Sequence, residues 1–488
     1  LNRTWANNAR YLAGPAAIAA VRVFAQLQQF AVFLVAARLL SVTEFGIFSL
    51  VFAVVVGCAI LAEAGWREYA ICCEGPEGLR QVNALALASG AALFVPILLA
   101  ANLLAFTKLD SGFAITSGLL SLWVLLRPLA TVQSGLLTRQ GKLSQLAIVQ
   151  AATEIIGFAV SVYALRAGYG ILALALGKVA MQVTELLASL YFTKWFQLKW
   201  PARQDRRAIL GFSARILTAR VAPFFQTNLS TLVIGFFFAP AMVGLYRAAQ
   251  RIVGAAQEMI REPAKFVGWS SLRTARDRDE NGSRQAVIGA SLRYLQGLFL
   301  VAGPILLTLG IMADPFVALL LGPQWAAVGS IMLPLVLAAA IRLLPSLVEP
   351  LVAIIGRPEI AQQTALLTLA VNTSCIAVTI PFGLMAVAWG EVAAATFATP
   401  IALYVFRHEA QIGMKDIAAI LAPCIGGCLV CSGIFWAAKG FDMLTDRPTL
   451  IGLAELIALA GAGYLLFLLM LFRFSRRVFN PLLEGVRR

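Results

Sequence analysis

The amino-acid sequence predicts an all-α polytopic membrane protein. About fourteen transmembrane helices form two parallel-repeat six-helix bundles around a central cavity, with two extra helices at the C-terminal end. Three observations predict this. The 488 residues are 60% hydrophobic and only 13% charged, with mean hydropathy +0.83; a soluble domain is nearer half apolar and a quarter charged. Apolar runs of about 20 residues recur, long enough to span as helices, and they lack the short alternating segments of a β-barrel. Finally, stretches of the first half return in order in the second.

Read along the chain, the apolar runs fall between charged or Gly/Pro punctuation. The first six centre near residues 27, 55, 95, 125, 155 and 180, the next six near 225, 255, 300, 340, 370 and 393, and the last two near 427 and 461. Gly46-Ile47-Phe48, at the start of the second run, returns as Gly244-Leu245-Tyr246 at an offset of 198. Pro96-Ile97-Leu98-Leu99, in the third, returns as Pro304-Ile305-Leu306-Leu307 at 208. Gly141-Lys142, before the fifth, returns as Gly356-Arg357 at 215. The sixth run opens GYGILALALGKVA and the twelfth FGLMAVAWGEVA, so that Lys178 answers to Glu391 at 213. Offsets that drift only through loops mark a duplication. Six helices per unit is even, so both units enter from the same side, a parallel repeat with the site expected between the bundles. The expected division is residues 1–200 for the N-terminal bundle, 201–410 for the C-terminal bundle, and 411–488 for the last two helices and a tail.

Lys and Arg set the orientation. With the N-terminus inside, 25 of them fall in inner connections or tails and five (Arg38, Lys108, Arg166, Lys439 and Arg447) on the outer side. That is a strong positive-inside bias and puts both termini in the cytoplasm. The basic loops near 196–210 and 270–286 read as topology signals in contact with anionic lipid. The net charge of +15 therefore needs no nucleic acid. No short apolar region followed by a small-residue cleavage site is visible, so the first helix is expected to serve as its own insertion signal. Cys424, Cys428 and Cys431 are spaced like metal ligands, but they lie in an apolar span without His or acidic partners and read as packing residues. The single histidine, His408, sits between charged neighbours in an expected loop, so neither a Ser-His-Asp triad nor a zinc site can be built. No metal, cofactor or enzymatic role is expected, and no G-x-x-x-x-G-K-[ST] sequence supplies an ATP site.

Nine cations remain inside the spans: Arg22, Arg127, Lys178, Arg215, Arg220, Arg247, Arg251, Arg293 and Arg342. Each costs ~2.5–3.5 kcal/mol at mid-bilayer, so they belong on a cavity or in ion pairs rather than against lipid. Arg22-Val23 maps onto Arg220-Val221 at offset 198, and Arg127 onto Arg342 at 215. Arg22, Gln26 and Gln29 share one face of the first helix; Arg247 and Arg251 share a face of the eighth, with Glu258 two turns on. The expected cavity cations are Arg22, Arg220, Arg127, Arg342, Lys178, Arg247 and Arg251, with Gln26 and Gln29 as polar lining. Arginine grips phosphate in two-pronged fashion and keeps its charge when partly dry. Glu391, Glu63 and Glu258 are candidates for coupling. Lys178 with Glu391 could equally be a structural salt bridge.

Ala37-Arg38-Leu39-Leu40, with Glu44-Phe45-Gly46-Ile47-Phe48, resembles the helix 1–2 signature of polysaccharide flippases in the multidrug/oligosaccharidyl-lipid/polysaccharide exporter superfamily. Gly244-Leu245-Tyr246-Arg247-Ala248-Ala249-Gln250-Arg251 is similar to the start of their helix 8. Leu320 to Trp325 and Gly356-Arg357-Pro358 are similar to two of their turns, and the likeness covers about residues 15–410. It implies a secondary transporter that flips an undecaprenyl-diphosphate-linked oligosaccharide across the bacterial inner membrane by alternating access, for exopolysaccharide or O-antigen synthesis. The implied partners are the lipid-linked cargo, membrane lipids and a polysaccharide polymerase or export machinery. Lipid II flippases are similar and carry cationic cavities, matched here at Arg22. A multidrug cation antiporter of the same superfamily would need an acidic cavity, and a membrane polymerase would need a sizeable outer loop; both stay open as alternatives.

Overall fold

A computed structural model describes residues 2–106, 111–277, 284–440 and 450–474. Lys108, Arg278, Arg447, Arg476, Arg477, Arg487 and Arg488, which entered the charge count, lie outside the described residues. The described chain is helical, with no strand among the described residues.

Two compact units divide the chain, Leu1–Gly244 and Leu245–Arg488. The first holds α1 (Asn2–Leu39), α2 (Val42–Glu63), α3 (Trp66–Cys72), α4 (Gly75–Phe106), α5 (Ser111–Arg139), α6 (Leu143–Arg166), α7 (Ile171–Thr193) and α8 (Arg203–Phe237). Helix α9 (Pro240–Asp277) runs across the boundary into the second unit. That unit continues with α10 (Arg284–Ile311), α11 (Ala313–Leu320), α12 (Ala327–Ile341), α13 (Val348–Ile355), α14 (Pro358–Thr379), α15 (Leu384–Glu409), α16 (Met414–Gly440) and α17 (Leu450–Phe474).

Among the described residues eleven helices are long and apolar enough to cross a membrane, or twelve if α12 and α13, bent by 45° at their junction, form one broken span. Large apolar side chains such as Phe236, Phe382 and Trp436 are exposed, as expected where lipid rather than water surrounds the helices. The protein is a multi-pass membrane protein. A count of fourteen also needs α9, whose face is strongly amphipathic, and α17, whose apolar stretch is Glu455–Met470.

Helix junctions follow local chemistry. Ser41 caps α2: its hydroxyl accepts from the Glu44 N–H at 3.2 Å, while the Glu44 carboxylate accepts from the Ser41 N–H at 2.8 Å. The repeat-paired glycines Gly170 and Gly383 precede α7 and α15 with φ of 55° and 95°, and Gly141 and Gly356 also have positive φ. These are backbone conformations that favour glycine. Deeper in the same helices, a methyl group on Gly177 would overlap the Ser161 hydroxyl, and one on Gly390 would sit 2.5 Å from Thr379 Oγ1. The small residues thus bring α6 onto α7 and α14 onto α15.

The first compact unit extends to Gly244 because α8 packs on α2 and α3; Gln81 donates to Asp205 at 2.8 Å and Gly65 lies against Ile216. Three expectations shift. The 196–210 loop is shorter than expected, since α8 starts at Arg203. The 270–286 loop is likewise helical to Asp277 and from Arg284, and residues 278–283 lie outside the described residues. His408 lies on the last turn of α15, its ring 4.2 Å from that of Tyr404, because the helix carries on through the charged residues. The cysteines do pack between helices: the Cys424 thiol donates to the Phe299 carbonyl at 3.0 Å and Cys431 to Ala460 at 3.4 Å.

Candidate functional site: ion pairs at two broken helices

In the first unit the chain leaves α2 at Glu63, turns through Ala64 and Gly65 with φ of 41° and 75°, and restarts as α3. The break frees carbonyls that would otherwise be bonded within a helix. Trp66 repairs part of this: its indole donates to the Ala62 carbonyl at 2.8 Å and to Ser89 Oγ at 3.0 Å, and the Ser89 hydroxyl donates to the same carbonyl at 2.7 Å.

Glu63 stands on the lip of that break and is buried. One carboxylate oxygen accepts from Arg127 Nε on α5, and the other from Arg220 Nη1 on α8 at 2.8 Å. Arg220 reaches a second carboxylate, Glu68 on α3, at 2.6 Å. Arg127 also lies over the Trp123 ring, 4.8 Å from its centroid. Trp123 meets Phe52 at 5.8 Å, and the Lys178 ammonium lies 5.4 Å from the Phe52 centroid. Two cations therefore flank an aromatic pair, an arrangement in which ring quadrupoles offset part of their charge.

The second unit repeats the theme with other parts. Arg342 is the C-cap of α12, where the bent α12–α13 pair breaks. It pairs with Glu391 on α15, whose side chain is 4% exposed. The Tyr246 hydroxyl donates to the other Glu391 oxygen at 3.2 Å, and Arg342 reaches Asn372 Oδ1 at 3.5 Å. Non-helical backbone at membrane depth is tolerated only inside protein or on a water-filled cavity, and transporter sites form at such discontinuous helices.

The structure thus brings together Arg127, Arg220 and Glu63 in one unit, and Arg342 with Glu391 in the other. The two repeat-paired arginines, Arg127 and Arg342, each meet a buried carboxylate, but from non-equivalent helices, α2 and α15. Within its own unit Glu391 is engaged by Arg342 and Tyr246. Arg22 is exposed on α1; Gln26 is half-buried, and Gln29 donates to Glu154 at 3.3 Å. Arg247 donates to Gln250 at 3.2 Å, and Arg251 lies one turn on along α9. Glu258 pairs with Arg261 three residues on, a local helix-surface contact rather than a partner of the two arginines before it. Glu68, Trp123, Tyr246 and Asn372 were not anticipated. Trp123 precedes Arg127 by one helical turn, which is a readable signal, and Glu68 follows Glu63 across an Ala-Gly step that could mark the break.

The arrangement holds several guanidinium groups against buried carboxylates, on helices apolar enough to cross a membrane.

This is a many-helix membrane fold with ion pairs beside interrupted helices. Residues 35–329, more than half of the chain, match the family described as polysaccharide biosynthesis protein, and the chain belongs to that family. The succinoglycan biosynthesis transport protein ExoT of Rhizobium meliloti (strain 1021) is 22% identical over 460 residues, covering 92% of this chain and 90% of that protein. Among solved structures, the lipid II flippase MurJ in an inward closed conformation superposes with a TM-score of 0.72 at 12% identity, covering 94% of this chain and 99% of that one. An inward-facing multidrug resistance MATE family transporter of the MOP superfamily gives 0.59 at 16% identity, with 80% and 98% covered. The fold is therefore shared with those two structures, and the proteins the chain resembles are transporters and flippases rather than enzymes.

Proposed function

We propose that this protein is a secondary transporter that flips an undecaprenyl-diphosphate-linked oligosaccharide repeat unit across the bacterial inner membrane, by alternating access, for exopolysaccharide or O-antigen synthesis. The observation that carries the reading is the pair of ion-paired arginines, Arg127 and Arg342, at repeat-equivalent positions beside broken helices in a chain of a polysaccharide biosynthesis family. The kinship with a succinoglycan transport protein supports the cargo class. The Lys and Arg distribution supports cytoplasmic termini.

In this reading the carboxylates are placeholders. A bare guanidinium at mid-bilayer costs ~2.5–3.5 kcal/mol, so Glu63 and Glu391 keep the arginines neutralised while no cargo is bound. A diphosphate then exchanges for a carboxylate, charge-assisted bonds for charge-assisted bonds. The exchange is nearly balanced, so the site binds without trapping. Arg127, Arg220 and Arg342, with Lys178, Arg247, Arg251 and Arg22, form the cationic track, and Gln26 and Gln29 line it. Glu63, Glu391 and, farther out, Glu258 are the groups whose freeing could couple to a proton or to the membrane potential. A diphosphate leaving an inside-negative cell gains up to ~2.3 kcal/mol per uncompensated charge per 100 mV. The two repeated six-helix bundles, residues 1–200 and 201–410, with helices near 427 and 461 added, are the frame for that motion. A polymerase or export complex would take up the product.

The test is export of the sugar repeat by a strain lacking this gene. The intact gene should restore it, and Arg127→Ala or Arg342→Ala should not. Restoration by both variants would end the proposal.

A further inference from the structure

The connection between α7 and α8 has two unlike sides. Lys194 turns the chain with φ of 50°. From there Trp195 and Pro201 turn toward the protein, and the backbone at Gln197 and Lys199 is bonded to it. Trp195 packs against the cluster around Trp66, Leu79 and Val82. The Gln197 carbonyl accepts from Asn83 Nδ2 at 3.2 Å, the Lys199 N–H donates to the Arg80 carbonyl at 3.1 Å while its ammonium pairs with Glu77, and Pro201 is buried. Beneath lies a buried chain of polar groups: Thr193 donates to Gln133 at 3.0 Å, and Gln133 donates to Asn83 at 3.5 Å. The segment is pinned. Its even positions, Phe196, Leu198 and Trp200, are 44%, 47% and 59% exposed. Directly after them, Arg203 and Arg207 line an open cleft on the first turns of α8.

Three large apolar side chains on a fixed surface segment need a cover. Both neighbouring helices are apolar enough to cross a membrane, so a nine-residue connection stays at the bilayer surface. Tryptophan prefers the head-group level, and basic residues beside it meet anionic lipid. Arginines one turn apart match a phosphate that a single lysine would hold only as a point charge.

We propose that residues 194–207 form a docking surface for acidic phospholipid, with the head-group phosphate between Arg203 and Arg207 and the glycerol and upper acyl chains against Phe196, Leu198 and Trp200. The inference requires only that the chain lies in a membrane and is independent of the transport cargo. It gives the segment that joins the two sequence repeats a fixed hold on the bilayer surface.

The experiment uses the purified full chain in detergent, titrated with phosphatidylglycerol or phosphatidylcholine, with bound lipid counted by native mass spectrometry. Two surface charges at ~1 kcal/mol each predict a preference for phosphatidylglycerol of more than tenfold. The Arg203→Gln/Arg207→Gln variant should lose that preference, and Arg215→Gln, farther along α8, should keep it. Equal binding of the two lipids by the wild-type chain, or an unchanged preference in the double variant, would overturn the proposal. Should the double variant fold poorly, brominated phosphatidylglycerol provides an independent reading. It should quench wild-type tryptophan emission more than that of Trp200→Phe, and equal quenching would count against the site.

Discussion

Replacing Glu63 by glutamine probes the placeholder directly. Glu63 is 9% exposed and serves two guanidinium groups, Arg127 at 37% and Arg220 at 30%. Glutamine keeps the shape but removes the charge and turns an N–H pair toward two cations. Two charge-assisted bonds at ~1.5–3 kcal/mol each, halved for the water that reaches both arginines, predict a loss of ~1.5–3 kcal/mol. Glu68→Gln breaks one contact at a carboxylate that is 34% exposed, so it should cost under ~1 kcal/mol. The assay is a denaturant titration of the purified protein followed by circular dichroism. Arg127→Leu with Glu63→Leu should recover part of the loss, since removing both charges spares the burial of an unpaired one. A Glu63→Gln cost no larger than that of Glu68→Gln, or the same cost with and without Arg127, would refute the reasoning.

Further outcomes follow from other contacts. Gly177→Ala places a methyl group on the Ser161 hydroxyl and should destabilise by ~1–3 kcal/mol, with Ser161→Gly restoring most of it in the same titration. Gly46→Ala would overlap the Pro240 carbonyl, a backbone atom that cannot swing aside, so no side-chain substitution should rescue its thermal stability. Burial pushes the Cys73 thiol above its ordinary range, although neighbouring Arg139 pulls it down. In a Cys72→Ser background its alkylation should therefore be slow at pH 7 and accelerate as rising pH forms thiolate; a rate flat between pH 7 and 9 would contradict this. Exchanging charges, Lys178→Glu with Glu391→Lys, should not restore export, because the new lysine would face Arg342; full rescue would make the pair a plain structural salt bridge.

The membrane class and most helix positions were legible because apolar run length is a local property that the bilayer dictates. The echo of Gly170 and Gly141 in Gly383 and Gly356 also survives as positive-φ turns, since a backbone demand leaves its mark on residue type. The wiring between charges did not show. Glu63 meets Arg127 and Arg220 across 64 and 157 residues, and nothing in local spacing reports such distances. Repeat logic pointed to Lys178 and Glu391 because duplication aligns them. Within its own unit Glu391 takes Arg342 and Tyr246, partners that the duplication does not align. The breaks at Ala64-Gly65 and Arg342 were missed because an apolar run reads as continuous whether or not its hydrogen bonds are.

The most direct test of the central claim is transport by the purified protein in liposomes with an imposed inside-negative potential. The cargo is an undecaprenyl-diphosphate oligosaccharide whose sugar is cleavable only from the far side. The account predicts that the wild-type chain exposes the sugar to the added hydrolase, with Arg127→Ala and Arg342→Ala near the protein-free background. Movement of a cationic dye in place of the sugar lipid, or full activity in both arginine variants, would contradict it.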